Sequence, residues 1–481
     1  MSAPPHESPA IDVTALRART AGILNRHPAV GLAIGVVRDG RLEFFHGHGY
    51  ADLASRTPVT VDTAFRIGSL TKTFTAVAVL QLGERGLVDL DAPAGDYLRA
   101  YRLVPAKATH RPPTVRQLLT HTGGLPELVY PARALLPVLG ETVPFGHRVP
   151  TLAEFYRGGL RLVAEPGSRH VYSNHGFATL GQIVEDVTAR PLADHLRDHV
   201  FAPLGMAHTD LNGSSRGTAA LATGYTLRAG GPRPVADREL VTIGAGAVQS
   251  TTRDMARYVA ALLGGGGGLL RTETLAGMYA PHYRPDPRLP GMGLAFFRQD
   301  AGGHLVVEHN GLLPGFWSEL SVAPGDGVGV VAFTNGTRGG MAWLGREVSG
   351  LVHDLLGVPE PVLRADIPQH PEIWAELCGR YSFRGSVRDV QKWFVAGADV
   401  RVRRGRLVLR VRTPVPALSR GLTLHPDDAA DPYVFRADLS GFDLGTTRVV
   451  FGRSPGTGVT GFHLDVAPMS FDKRRHGGDA E

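Results

Sequence analysis

Apolar positions along the chain change period several times, and the changes divide it into regions. Residues 12–26, "DVTALRARTAGILNR", alternate apolar and basic positions at helical spacing, so the first element is predicted to be a helix. "VGLAIGVV" and "RLEFFHGHGY" follow, separated by "RDG", two β-rich runs around an Asp-Gly turn that read as a hairpin. From about 70 to 265 helical periods dominate, as in "TVRQLLTHT", "GQIVEDVTARPLADHLRDHVF" and "TTRDMARYVAALL". Strand patterns return with "GMGLAFF", "HLVVEHN", "FWSELSVA" and "GVGVVAFTN", where "PGDG" at 324–327 supplies a tight turn. A helix is then predicted over 341–357, "MAWLGREVSGLVHDLLG". Strands on both sides of a helical middle predict an α+β fold: one antiparallel sheet flanked by helices, with a helical subdomain inserted.

Beyond this region the pattern changes again. Proline-rich "GVPEPVLRADIPQHP" at 357–371 reads as a linker. Residues 372–481 are short alternating runs punctuated by Gly, Asp and Pro, which predicts an antiparallel barrel or sandwich of about eight strands. The expected organisation is a first domain over 1–356, the linker at 357–371 and a small all-β domain over 372–481.

Composition narrows the function classes. The 481 residues are 43% hydrophobic, enough for a sizeable core, and the net charge of +6 comes from dispersed Lys and Arg. The densest cluster, "RVRRGR" at 401–406, reads as the solvated end of a hairpin, so no nucleic-acid partner is expected. One cysteine, Cys378, precludes an intrachain disulfide and reads as a small apolar residue. The first ten residues are polar and Pro-rich, and no apolar run approaches the ~18 residues that would cross a bilayer. The expectation is a cytoplasmic protein without stable membrane insertion. "GGGGG" at 264–268 reads as a loop, and "GAGA" at 244–247 lacks the strand and spacing of a dinucleotide fingerprint. No cofactor or metal is expected.

The chemistry begins at "RIGSLTKTFTAVAVLQL", residues 66–82. The run from Phe74 to Leu82 has no polar stripe and belongs in a core. Ser69 reads as its N-cap, yet Lys72 stands where a capping box would have Glu or Gln, a cation at the positive end of the helix dipole. Three residues apart, Ser69 and Lys72 share a face, and a desolvated lysine there has its pKa lowered towards that of a neutral base. Unpaired N–H groups of the first turn supply half of an oxyanion hole. Two further elements stand out. In "GSRHVYSNHGF", Tyr172 and Asn174 offer a phenol for proton shuttling and an amide for orientation; a packed Tyr and a capping Asn would be the structural alternative. In "HLVVEHNGLLPGFWSEL", His309 ends an apolar strand and Gly311 marks a close backbone approach.

Ser69-x-x-Lys72, Tyr172-x-Asn174 and His309-x-Gly311, in this order, resemble the three motifs of the serine β-lactamase and penicillin-binding-protein superfamily. The similarity extends to "HGHGYADLASRTPVTVDTAFRIGSLTK", "VRQLLTHTGGLP", "EPGSRHVYSNHGF", "VFAPLGMAHT" and "GAGAVQSTTRDMARY", over roughly 25–340. The nearest branches by motif are class C β-lactamase-like enzymes, family VIII esterases and D-amino-acid-specific peptidases. The resemblance implies a β-lactamase/transpeptidase-like domain. Among D-aminopeptidase-like relatives it also implies a lipocalin-like C-terminal barrel that can lend a loop to the active-site rim.

The resemblance further implies roles. Ser69 is the acylated nucleophile and Lys72 its base or relay. Tyr172 passes the proton to the leaving group, and Asn174 holds Lys72 and the substrate amide. His309 stands where many relatives have the lysine of a Lys-Thr-Gly triplet, and the oxyanion hole combines the N–H groups of Ser69 and Leu312, the residue after Gly311. A histidine is mostly neutral at pH 7, so weaker carboxylate recognition than in an efficient β-lactamase is expected. His121 of the "HTGG" block is read as structural, the preceding helix ending there with Gly123-Gly124 as its C-cap. The expected function is a serine hydrolase acting on ester or amide bonds of a small-molecule or peptide acyl substrate. A peptide cyclase in which an amine replaces water, a weak β-lactamase or DD-carboxypeptidase, and a catalytically silent ligand-binding relative remain alternatives. Oligomeric state is not encoded in these patterns.

Overall fold

The computed structural model describes residues 12–133, 135–211, 220–337, 343–456, 458–466 and 469–474. The Pro-rich first ten residues and the first two residues of the helix expected over 341–357 lie outside these.

Helix α1 (Val13–Arg26) is capped by Asp12, whose carboxylate accepts from the N–H groups of Thr14 and Ala15. Strands β1 (Gly31–Arg38) and β2 (Arg41–Asp52) form the expected hairpin, with Asp39 and Gly40 both at positive φ in its turn. With β3 (Thr57–Pro58), β4 (Phe297–Ala301), β5 (His304–Leu313), β6 (Phe316–Ala323) and β7 (Val328–Thr334) they make one sheet in the order β4-β5-β6-β7-β1-β2-β3. Every pairing in it is antiparallel, and β1 meets β7 from Leu32↔Thr334 to Arg38↔Val328. Early and late strands therefore share one sheet, as the pattern predicted.

"GMGLAFF" does not form a strand. Gly291 and Ala295 adopt positive φ, and the Leu294 and Ala295 N–H groups donate to Met278 and Leu119 carbonyls, so pairing begins only at Phe297.

The two faces of the sheet carry separate cores. One packs Leu32, Ile34, Val36, Val330 and Ala332 against α1 and the late helix Trp343–Leu356. The other packs Ala33, Val37, Val331 and Phe333 against the helical part of the chain, centred on α2 (Thr71–Glu84). Ten consecutive residues of α2, Thr71 to Leu80, are buried. Its three threonines are satisfied: Thr71 donates to Gly68, Thr73 to Leu70 and Thr75 to Gly244.

Among the described residues, nine strands lie beyond residue 378: Gly379–Phe383, Gly397–Arg403, Arg406–Arg412, Leu422–Thr423, His425–Pro426, Val434–Asp438, Thr446–Ser454, Gly458–Leu464 and Ser470–Lys473. They form one antiparallel, nearly closed barrel whose edge strands, Leu422–Thr423 and His425–Pro426, are consecutive in sequence. Its core is its own, built on Tyr381, Phe435, Phe451, Phe462 and Phe471. The "RVRRGR" cluster is the exposed end of a hairpin turning at Arg404-Gly405, and Cys378 packs at the edge of this core.

Candidate active site

Ser69 does not cap α2. A 3-10 turn, Gly68–Leu70, runs directly into the helix with Leu70 already at helical φ and ψ, so Ser69 lies inside the helical path and its hydroxyl makes no capping bond. Ser69 is half-buried while the rest of that turn is buried. Gly68 sits at φ 53°, where a Cβ would come within 2.9 Å of the Leu312 nitrogen. Gly311 is equally constrained, since a Cβ there would lie 1.9 Å from the Ile67 carbonyl oxygen. Ser318 on β6 donates to that same oxygen at 2.6 Å. Two glycines thus let the β5 backbone touch the serine turn, which brings Ser69 and Leu312 side by side.

Lys72 is fully buried. Its Nζ lies 2.8 Å from Ser69 Oγ, 2.9 Å from Asn174 Oδ1 and 2.8 Å from the Ala245 carbonyl oxygen. Burial pushes its pKa down to about 7, opposed by the negative charge of Glu141. A neutral amine has two N–H donors and one lone pair. The carbonyl and the Asn174 oxygen can only accept, so both donors go to them and the lone pair faces the serine hydroxyl. Asn174 Nδ2 is turned to Glu141 Oε2 at 3.4 Å, which fixes the amide's orientation.

Helix α3 (Val115–Leu119) ends differently from expectation. His121 itself takes the left-handed position at φ 56°, with its N–H bonded to Leu118 and that of Thr122 bonded to Gln117. Gly123-Gly124 follow this cap rather than forming it; histidine is among the non-glycine residues enriched in the left-handed region. His121 Nδ1 accepts from the Ser173 N–H at 3.1 Å, and its ring lies 4.4 Å from that of Tyr172. Burial holds its pKa well below the usual imidazole range, consistent with a structural role.

Helix α4 (Asn174–Thr188) is capped by Ser173, whose hydroxyl accepts from the Gly176 N–H. Asn174 is therefore the first helical residue and is free to face Lys72. The Tyr172 phenol faces the Ser69 side chain, and Lys72 Nζ lies 4.9 Å above its ring. Burial raises the phenol's pKa, so it stays protonated.

His309 is fully buried, and its Nδ1 lies 2.6 Å from the Asn310 carbonyl oxygen. That bond places the proton on Nδ1 and leaves Nε2, which is buried without a protein partner, as an acceptor. Burial, reinforced by Lys72, pushes its pKa down to about 3, so the ring is uncharged.

Sequence reasoning missed Glu141. Its carboxylate is 2% exposed and meets Thr242 Oγ1 at 3.0 Å and His175 Nε2 at 3.2 Å besides Asn174. It stands in "LGETVPF", which has no motif, and only tertiary structure brings it to Lys72. The "GAGA" stretch was likewise read only as a non-site; as helix α5 (Ile243–Gly246) it supplies the Ala245 carbonyl for Lys72 and the Gly244 carbonyl for Thr75. Among the described residues no cluster of three or more His, Cys, Asp or Glu could hold a metal ion. None of the described helices is long and apolar enough to cross a membrane.

The family model described as beta-lactamase matches residues 16–351. A D-aminopeptidase from Brucella anthropi is 36% identical over 202 residues, 42% of this chain but only 36% of that protein's own length. Penicillin-binding protein 4 from Amycolatopsis lactamdurans is 28% identical over 389 residues, covering 76% of this chain and 97% of the relative. Among solved structures, the D-amino acid amidase of Ochrobactrum anthropi SV3 complexed with L-phenylalanine amide aligns with a TM-score of 0.56 at 28% identity, over 71% of this chain and 98% of that one.

Proposed function

The chain belongs to the beta-lactamase family, and from that premise we propose that it is a serine hydrolase cleaving ester or amide bonds through an acyl-enzyme on Ser69. The observation that carries this reading is the placement of Lys72: a fully buried Nζ 2.8 Å from the Ser69 hydroxyl, its pKa pushed by burial to about 7, where the amine can act as a base.

The geometry supports the following steps. Lys72 takes the Ser69 proton as Oγ attacks the carbonyl carbon. The oxygen that gains charge lies between the N–H groups of Ser69 and Leu312. The Tyr172 phenol gives its proton to the leaving oxygen or nitrogen, the carbon–heteroatom bond breaks, and Tyr172 recovers a proton from Lys72. Water then repeats the sequence in reverse and releases the acid. His309 supports a substrate without a free carboxylate beside it. Its Nε2 is uncharged and can only accept, so it suits an N–H or O–H donor and not an anion. Together with the D-aminopeptidase and D-amino acid amidase relatives, this favours an amide or ester of an amino acid, D-configured, over a β-lactam or a D-alanine terminus.

The test is a turnover panel of D- and L-aminoacyl amides, short-chain p-nitrophenyl esters, nitrocefin and peptidyl thioesters, with mass spectrometry of the trapped enzyme. The expected result is an acyl adduct on Ser69 and fastest turnover of the uncharged amides or esters. Folded protein that acquires no adduct from any of them, or from a fluorophosphonate, at any pH from 6 to 10 would sink the proposal.

A further inference from the structure

Three consecutive residues of the C-terminal part of the chain reach back to the two segments that hold Tyr172. The Leu128 N–H donates to the Arg388 carbonyl at 3.0 Å. The Val390 N–H donates to Glu127 Oε2 at 2.7 Å. Arg169 Nη1 donates to Asp389 Oδ2 at 2.7 Å, in an ion pair whose side chains are 11% and 5% exposed. Glu127 and Leu128 close the segment that begins at His121, and Arg169 stands three residues before Tyr172.

Those two segments are already stitched together on either side of the tyrosine. The Val171 N–H donates to the His121 carbonyl at 2.8 Å, and the Ser173 N–H to His121 Nδ1 at 3.1 Å. The Ser173 hydroxyl donates to the Pro126 carbonyl at 2.6 Å. Tyr172 therefore hangs on a frame whose outer edge is fastened from the barrel side. The fastener is itself preset. The Ser386 N–H donates to Asp389 Oδ2, so the carboxylate faces Arg169. Val390 opens the short helix Val390–Phe394, so its N–H has no acceptor within that helix and is available to Glu127.

We propose that Arg388-Asp389-Val390 is a positioning element for Tyr172, holding the phenol against Ser69 and so governing proton delivery to the leaving group, not substrate affinity. The inference rests on the role given to Tyr172 above. Misplacing a proton donor by a fraction of an ångström slows only the steps that need its proton. An amide nitrogen must be protonated to leave, whereas p-nitrophenolate departs as an anion.

Val390→Pro in the full chain removes the donor to Glu127 and pushes that carboxylate away from its place 2.7 Å from the nitrogen. Proline is accepted at the first helical position, and Asp389, at φ −96° and ψ 116°, already has the conformation a residue before proline requires. With an aminoacyl amide the expected loss in the acylation rate, read in single turnovers, is about 10- to 100-fold at a half-saturating concentration within about twofold of wild type, and with the matching p-nitrophenyl ester the loss in acylation rate is severalfold smaller. Asp389→Asn keeps the shape but not the charge, is expected to show the same split at smaller amplitude, and carries the test if Val390→Pro does not fold. Folded variants that keep the wild-type acylation rate on the amide, that lose amide and ester acylation equally, or that change only the half-saturating concentration would overturn the inference. A wild type that is never acylated takes down the reading of Tyr172 and this inference together; a wild type that is acylated beside unimpaired variants takes down this inference alone.

Discussion

The surroundings of Lys72 and the interior of the C-terminal barrel are equally dry and oppositely built. In the barrel, Phe462 stacks on Phe471 at 4.5 Å and meets Tyr381 at 5.0 Å. The Tyr381 hydroxyl donates to Leu377, and on the barrel's other face Asp427 is shared by Arg436 and Arg448. Aromatic contact stabilises there, and charge is cancelled where it is buried. Around Lys72 an amine, the imidazoles of His121 and His309 and the carboxylate of Glu141 are all buried, and desolvation keeps the amine and both rings short of protons. One region is organised for stability, while the other holds ionisable groups buried at a cost in stability.

The largest expected effect tests whether the Lys72 region is chemical at all. Ser69→Ala should abolish covalent labelling by a fluorophosphonate, and Lys72→Arg should slow it by about 10⁴-fold or more, because a guanidinium keeps the charge but cannot act as a base. Labelling rates followed by intact-protein mass spectrometry check both. Retained labelling in Lys72→Arg would reduce Lys72 to an electrostatic role.

The next effect sets the two regions against each other in stability. Lys72 has a folded pKa near 7 against 10.5 for the free side chain. Between those values the unfolded chain binds the extra proton, so stability rises with pH from about 7 to about 10.5 and is lowest below 7. Lys72→Met should therefore flatten that rise, removing about 2–3 kcal/mol of difference in stability between pH 6 and pH 9, while the Asn174 and Ala245 oxygens it leaves unpaired cost stability at both. Phe462→Ala, by contrast, should destabilise by about 3–5 kcal/mol at every pH, since it leaves a cavity and no titrating group. Urea titrations at pH 6 and 9 read both. A Lys72→Met variant whose stability still rises from pH 6 to pH 9 as steeply as that of wild type would remove the claim that this region is held at a cost.

A smaller effect concerns the balance at the base. Glu141 opposes the burial of Lys72 by stabilising its charged form. In the wild type kcat/KM should rise with pH through about 7, where Lys72 gives up its proton. Glu141→Gln removes the negative charge, so this acid limb should move to lower pH. The plateau should fall by about tenfold as Asn174 and His175 lose a charged partner. A limb that moves to higher pH would assign it to another group.

How much of this was readable in the sequence depends on what fixes each residue. The hairpin around Asp39-Gly40, the buried run of α2 and the barrel's alternating strands are local patterns, and they folded as read. Ser69, Lys72, Tyr172, Asn174 and His309 were readable because each motif is short and contiguous, and the fold brings them to one place. Glu141 and the Asp389–Arg169 pair were not, because each acts on a residue far along the chain and carries no spacing of its own. "GMGLAFF" was misread for a related reason. Its apolar residues serve tertiary contacts with Met278 and Leu119, and positive φ at Gly291 and Ala295 overrides strand propensity.

The smallest expected effect asks whether His309 sets what the site accepts. At its position in β5 the ring is uncharged, donates through Nδ1 to its own chain and offers Nε2 only as an acceptor. His309→Lys would replace that acceptor with a cation-capable donor. A charge-assisted hydrogen bond to a substrate carboxylate contributes about 1.5–3 kcal/mol, but the new amine is buried beside Lys72 and part of that gain is lost to desolvation. The net expectation is a rise of about tenfold or less in kcat/KM for an ester bearing a free carboxylate, relative to the same ester with that carboxylate amidated. The second amine also disfavours protonation of Lys72, so the acid limb should move to lower pH, the same direction as in Glu141→Gln but without its loss of plateau rate. If the carboxylate preference stays flat while the limb moves, the cation has reached Lys72 and not the substrate, and the specificity must then be sought along the exposed side of Leu312.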